Sequence, residues 1–208
     1  MRVDIISVFC EGCGKMKLMV KGKVLSVALA LLVFVLSAQA SGASVAPLQQ
    51  LKGTVEGILA IMQDEGFSTQ ARREERRARI MDMVDERFDF KEMSQRTLGK
   101  AWKGLTSAER AQFQQLLADL LKNTYIDRIE SYSDEKVEYA KEIFGRNKKD
   151  RAKVYTNILK NGHEIPINYS LSKKGEEWFV YDVNIEGVSL VRNYRSEFGR
   201  ILNKEKFP

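Results

Sequence analysis

The chain has 208 residues, with 34 basic and 28 acidic side chains, a formal charge of +6, one histidine and two cysteines. Residues 1–40 hold five of the basic and two of the acidic groups, so the remaining 168 residues carry only +3, a charge that does not argue for nucleic acid. Both cysteines also lie in that leader, and the rest must fold without disulfides. A domain of this size can, because it buries roughly 70% of its unfolded surface.

The leader reads as a secretory signal peptide. Lys15, Lys17, Lys21 and Lys23 form a basic n-region, Val24–Leu36 is an apolar run broken only by Ser26, and Ala38-Gln39-Ala40 matches a small-x-small cleavage site. A membrane-spanning helix needs about 20 apolar residues, more than this run supplies. The expected mature domain is residues 41–208 in the periplasm, with Met16 or Met19 as alternative starts. Cys10-Glu11-Gly12-Cys13 has the spacing of a redox or metal pair, but it precedes the signal and has no second pair.

Next, Leu48, Leu51, Val55, Ile58, Leu59 and Met62 recur at helical spacing and predict a helix from Val45 to about Asp64. Gly66-Phe67 ends it, and Ser68 or Thr69 caps a second helix to about Arg87. Arg72–Arg79 holds five arginines and two glutamates. That pattern is a solvated helix face, or a docking surface for an acidic partner or anionic headgroups. The docking reading names Arg72, Arg73 and Arg76.

A short helix follows from Phe88 or so to Gly99. Thr106-Ser107-Ala108-Glu109 is a capping box that opens a long helix to about Tyr132. Its stripe is Phe113, Leu116, Leu117, Leu120, Leu121, Tyr125, Ile126 and Ile129.

From Val137 the period changes to two. Val137–Phe144, Ala152–Lys160, Glu164–Ser172 and Glu177–Ile185 read as strands, joined by Arg146–Asp150, Asn161-Gly162 and Lys173-Lys174-Gly175. Such short turns predict an antiparallel meander. Pro166 suggests an edge or a bulge in the third strand. Strict alternation in WFVYDVNI places Trp178, Val180, Asp182 and Asn184 on one face and Phe179, Tyr181, Val183 and Ile185 on the other. Ser189 then caps a last helix to about Asn203. Helices first and strands later give an α+β class: a four-stranded antiparallel meander wrapped by about six helices.

Catalytic chemistry is sparse. His163, the one histidine, sits on the Asn-Gly turn, and Gly187-Val188-Ser189-Leu190-Val191 is not a nucleophile elbow. No cluster has metal-ligand spacing. Asp182 is the one acid in an apolar strand; it is a structural carboxylate, or a general base in a hydrophobic pocket. Trp102, Tyr125, Tyr155, Tyr169, Trp178, Tyr181 and Phe198 come from different elements. They describe either an ordinary core with tyrosines at its rim or the walls of an apolar ligand cavity.

FDFKEMSQRTLGKAWKGLTSAERAQF, LLADLLKNTYIDRIESY and WFVYDVNIEGVSLVRNYRSEFGRIL resemble the MlaC or toluene-tolerance family, over about Leu48–Leu202. Its members are periplasmic phospholipid carriers of the Mla lipid-transport pathway, many with one more short helix beyond the point where this sequence stops. The resemblance implies a four-stranded sheet wrapped by helices, with acyl chains between sheet and helices and the headgroup outside. Val188, in Gly-Val-Ser, becomes a tail contact.

A hollow between sheet and long helix would then be walled by Phe113, Leu117, Leu121, Tyr125, Ile158, Ile167, Tyr169, Tyr181, Val183 and Val188. The resemblance further implies a monomeric, non-enzymatic protein without a cofactor. Its partners would be an inner-membrane ABC transporter with a ring of lipid-binding substrate domains, and an outer-membrane lipoprotein complex. A pocket enzyme using Asp182, and a chaperone for apolar polypeptide, are the alternatives.

Overall fold

The computed structural model describes residues 45–67, 69–131 and 135–204. The signal-peptide reading, the Cys10–Cys13 pair, the alternative cap Ser68 and the expected helix end at Tyr132 lie outside the described residues.

Five α-helices are present among these residues: α1 (Pro47–Gln63), α2 (Arg73–Arg87), α3 (Phe90–Leu98), α4 (Ser107–Glu130) and α5 (Leu190–Lys204). Five strands form one antiparallel sheet in chain order: β1 (Lys136–Gly145), β2 (Lys148–Lys160), β3 (His163–Lys174), β4 (Glu177–Ile185) and β5 (Val188–Ser189). The expected class and meander hold. The fifth strand was not expected, because a two-residue strand carries no period. It exists because Glu186 and Gly187 both take positive φ, 49° and 88°, which folds the chain back in a two-residue hairpin. Asn161 and Gly162 do the same between β2 and β3, at 51° and 78°.

Two bulges set which side chains face inward. In β1, Tyr139 pairs with Thr156 and Lys141 with Tyr155, so Ala140 is an extra residue. In β4, Val180 pairs with Leu171 and Asp182 with Ser170, so Tyr181 is extra. Trp178 and Val180 are buried before the bulge and Val183 after it, all on the core side. Strict alternation had put Val183 opposite to Trp178. The insertion shifts the phase by one residue and takes Tyr181 out of the inward row.

Pro166 is not in a bulge; it stands at a local edge of the sheet. It lies opposite Asn157 inside the β2–β3 ladder, but β4 pairs with β3 only from Ile167. β3 has therefore run past the end of β4, and the missing N–H leaves no ladder bond unmade.

The starts of α1, α3 and α4 are each satisfied by side chains, one of them from a distant strand. α1 begins with a proline and has no side-chain cap of its own; Glu142 on β1 accepts from Leu48 N at 2.9 Å instead. Asp89 caps α3 by accepting from Glu92 N at 3.0 Å. The predicted capping box of α4 forms in both directions between Thr106 and Glu109. The outer edge of β4 is closed as well. Trp178 N donates to Gln50 Oε1 at 2.7 Å, Trp178 O accepts from Arg87 at 2.9 Å, and Val180 O accepts from Asp89 N at 2.8 Å. A free strand edge is a template for unwanted pairing, and α1, α2 and the α2–α3 junction remove this one.

Candidate functional site: an apolar cavity between sheet and helices

α4 is 24 residues long, about 36 Å at 1.5 Å per residue. It packs mainly on α3 and stands across a gap from the sheet. Its inward face is narrower than the sequence stripe: Leu117, Leu121 and Ile126 are buried, whereas Leu116 is 60% exposed and Leu120 40%.

The gap is a cavity of about 190 Å³. α1 supplies Leu51, Thr54, Val55, Ile58, Leu59 and Met62; α2 supplies Met81 and Val84. Phe88, Phe90 and Met93 come from the α2–α3 junction and α3, and Leu121, Lys122, Tyr125, Arg128 and Ile129 from α4. The sheet contributes Val137, Ile158, Ile167, Tyr169, Val183 and Ile185, with Glu135 and Leu190 at its margins. The wall is thus almost entirely hydrocarbon, with three methionines, whose unbranched side chains adapt to shape.

The structure brings together Leu121, Tyr125, Ile158, Ile167, Tyr169 and Val183 of the expected wall. Phe113, Leu117, Tyr181 and Val188 are not among the lining residues. Phe113 packs edge-on against Phe198, ring centres 5.5 Å apart. Leu117 is buried in the core beneath α4. Tyr181, displaced by the bulge, lies under the guanidiniums of Arg96 at 4.1 Å and Arg151 at 5.4 Å. Val188 on β5 is 56% exposed, between Ile185 and Leu190, which both line the cavity; it occupies a rim position.

Of the wider aromatic set, only Tyr125 and Tyr169 line the cavity. Trp178 meets Phe144 edge-on, and Trp102 and Tyr155 lie under Arg110 and Lys141. The α1 and α2 wall was absent from the expected site. Its signal was present in the helical stripe from Leu51 to Met62, but a stripe does not say whether it meets side chains or a hollow.

Burial raises the hydroxyl pKa of Tyr169 to about 12, against a smaller lowering by the Thr156 side chain. Burial also raises that of Tyr125, and Tyr194 adds to the shift while the charge of Arg128 opposes it. Both tyrosines are therefore neutral donors at ordinary pH.

Asp182 does not face the cavity as a base. Its Oδ2 accepts from Ser189 Oγ at 2.7 Å and its Oδ1 from Val191 N at 3.1 Å, while Ser189 Oγ accepts from Arg192 N at 3.1 Å. The pair caps α5, the structural role the sequence allowed.

The arginine-rich face is engaged within the chain. Arg73, Arg76 and Arg77 all donate to Glu130 at the end of α4, and Arg77 also reaches Asp127. Burial would raise the Glu130 carboxyl, but hydrogen bonds from Arg77, Arg76 and Arg73 outweigh it and hold the pKa at about 2. Arg72 pairs with Glu75 at 3.1 Å and lies over the Phe67 ring. Among the described residues no group of three or more His, Cys, Asp or Glu could hold a metal ion, and no helix is long and apolar enough to cross a membrane.

A solved structure shares this fold. The chain is similar to a phospholipid-binding protein from Ralstonia solanacearum, solved in complex with a phospholipid. The TM-score is 0.67 at 24% identity, covering 77% of this chain and 89% of that one, which establishes a shared fold. It is also 27% identical over 116 residues to the intermembrane phospholipid transport system binding protein MlaC of Haemophilus influenzae, and spans about half (53%) of that relative's length. The model of the MlaC protein family matches residues 52–208, most of the chain. By that match, the chain belongs to the MlaC family.

Proposed function

We propose that this protein is a periplasmic carrier that shields the acyl chains of a phospholipid in the cavity between α4 and the sheet, and moves the lipid between membrane complexes without chemical change. The observation that carries the reading is the cavity wall, hydrocarbon drawn from both the helices and the sheet; the structurally similar Ralstonia protein, solved in complex with a phospholipid, supports it. A chain in the MlaC family, with a curated relative named for intermembrane phospholipid transport, supports the same substrate class.

The energetics favour an enclosed site. Two acyl chains carry about 28 methylenes, and exposing each costs roughly 0.8 kcal/mol, so transit through water needs on the order of 20 kcal/mol of shielding. A surface patch cannot provide that. The cavity measures about 190 Å³, below the ~300–1,000 Å³ of ordinary small-molecule sites, so two chains require the walls to separate. Met62, Met81 and Met93 on the helical side allow that movement at low packing cost.

A carrier also needs a donor and an acceptor. We assign these roles, from the family, to an outer-membrane lipoprotein complex and an inner-membrane ABC transporter, with a monomeric carrier in the periplasm. Arg72, Arg73 and Arg76 remain the proposed docking surface. Arg72 is the most available of the three, since its exposed pair with Glu75 contributes little.

Native purification from the host periplasm followed by lipid extraction and mass spectrometry tests the reading. About one phospholipid per chain is expected, along with lipid transfer between donor and acceptor vesicles that depends on the protein. A chain recovered without lipid, and unable to take any up, would overturn it.

A further inference from the structure

Three charged side chains border the cavity: Lys122, Arg128 and Glu135. Two are neutralised from within the chain. Lys122 Nζ is 3.0 Å from Asp85 Oδ2 and 3.9 Å from Asp119 Oδ1. Glu135 Oε1 is 2.9 Å from Lys160 Nζ. The third, Arg128, has a guanidinium with no carboxylate or carbonyl partner among the described residues. This is unlike the neighbouring arginines: Arg73, Arg76 and Arg77 all converge on Glu130, two residues further along α4.

The helix explains the difference. Asp127 and Glu130 share the face that meets α2, whereas Leu121, Tyr125 and Arg128, spaced i, i+4 and i+7, share the face that meets the cavity. Arg128 is exposed, so it stands where the hydrocarbon wall meets water. Tyr125 and Arg128, three residues apart on α4, both line the cavity and are neighbours on the helix surface.

We propose that Arg128, with the Tyr125 hydroxyl, recognises the phosphodiester of a glycerophospholipid whose chains occupy the cavity. The inference rests on the carrier reading above and adds a polar recognition group to it. A phosphodiester carries one negative charge and two free oxygens. A guanidinium offers two parallel N–H donors that fit them, which an ammonium does not. Beside a low-dielectric wall such a pair is stronger than in open water. A cation in the last turn of a helix also complements the macrodipole, but that contribution would be preserved by lysine, whereas the fork would not.

The test uses the purified full chain, stripped of lipid and titrated with dioctanoyl-phosphatidylglycerol, with dioctanoylglycerol, which has the same chains and no phosphate, and with inorganic phosphate alone. The wild type should bind the phospholipid about tenfold more tightly than the diacylglycerol, the size expected for a charge-assisted bidentate contact. Arg128→Ala should erase that preference, leaving diacylglycerol binding and the thermal melt unchanged. Arg128→Lys should retain only part of it, and Tyr125→Phe should lose a severalfold share. Equal weakening of both lipids in Arg128→Ala, or a preference that survives the substitution, overturns the assignment. So does inorganic phosphate binding at Arg128 as tightly as the phospholipid, which would mark an anion site independent of lipid. A wild type that binds neither lipid fails the carrier reading itself, and the assignment with it.

Discussion

Arg77 on α2 grips Glu130 on α4 through two nitrogens, Nη2 at 2.8 Å and Nε at 3.1 Å from the same oxygen, Oε2. The two helices lie side by side in the cavity wall: Met81 and Val84 line it from α2, Tyr125 and Ile129 from α4. The ion cluster is thus a tie across the outer wall. The Glu130 side chain is only 7% exposed, so its charge is held in place by Arg73, Arg76 and Arg77 together.

Glu130→Gln should therefore destabilise the fold by about 3 kcal/mol at neutral pH, because it strands three guanidiniums around a lost charge. The pH dependence has a defined sign. The folded pKa, about 2, lies below the ordinary 4.5, so the stabilisation is complete above about pH 4.5 and is lost as pH falls towards 2. Denaturant titrations of both proteins should show a large gap at pH 7 that narrows steadily below pH 4. A gap independent of pH would refute the assignment. The same cluster shapes any docking test: reversing Arg73 and Arg76 would lower stability as well as docking, so Arg72→Glu is the cleaner probe.

Val188 gives a second test. At 56% exposure it can accept a carboxylate with a stability change within about 0.5 kcal/mol. Val188→Glu should thus remain folded, and any loss of co-purified lipid reports a rim contact with the acyl chains rather than unfolding. Val183→Glu buries a charge at a 6%-exposed position and should cost several kcal/mol. Melts and lipid extraction on both variants separate rim from wall; full lipid content in Val188→Glu would remove Val188 from the path of the lipid.

Gln50 secures the sheet edge by accepting from Trp178 N and from Arg87 through one oxygen. Gln50→Ala leaves a strand N–H without its acceptor, at a cost of about 1–3 kcal/mol. A shift of the urea midpoint without a change in slope is the expected signature.

Asp182→Asn should lower stability by about 1 kcal/mol, the scale of a weakened cap, and leave lipid content and transfer intact. Loss of transfer in a folded, lipid-loaded variant would reopen the reading of Asp182 as a base.

The sequence by itself determined the local structure. Capping at Thr106 and Ser189, the Asn161-Gly162 turn and the change from helical to alternating period are decided within a few residues, by backbone geometry and short hydrogen bonds. The α+β order and the meander follow from them, and the motifs from Phe88 onward carried the family. Tertiary structure decided the site. Ala140 and Tyr181 become bulged residues only when their strands pair, and the bulge at Tyr181 put Val183 on the core side and Tyr181 outside. The arginines of α2 read as a free surface until α4 brought Glu130 to them. Likewise the stripe from Leu51 to Met62 is equally apolar beside a solid core or a hollow. Periodicity records which face leaves water, but whether that face meets side chains or space depends on how far α4 stands from the sheet, a distance set by contacts between residues far apart in the chain.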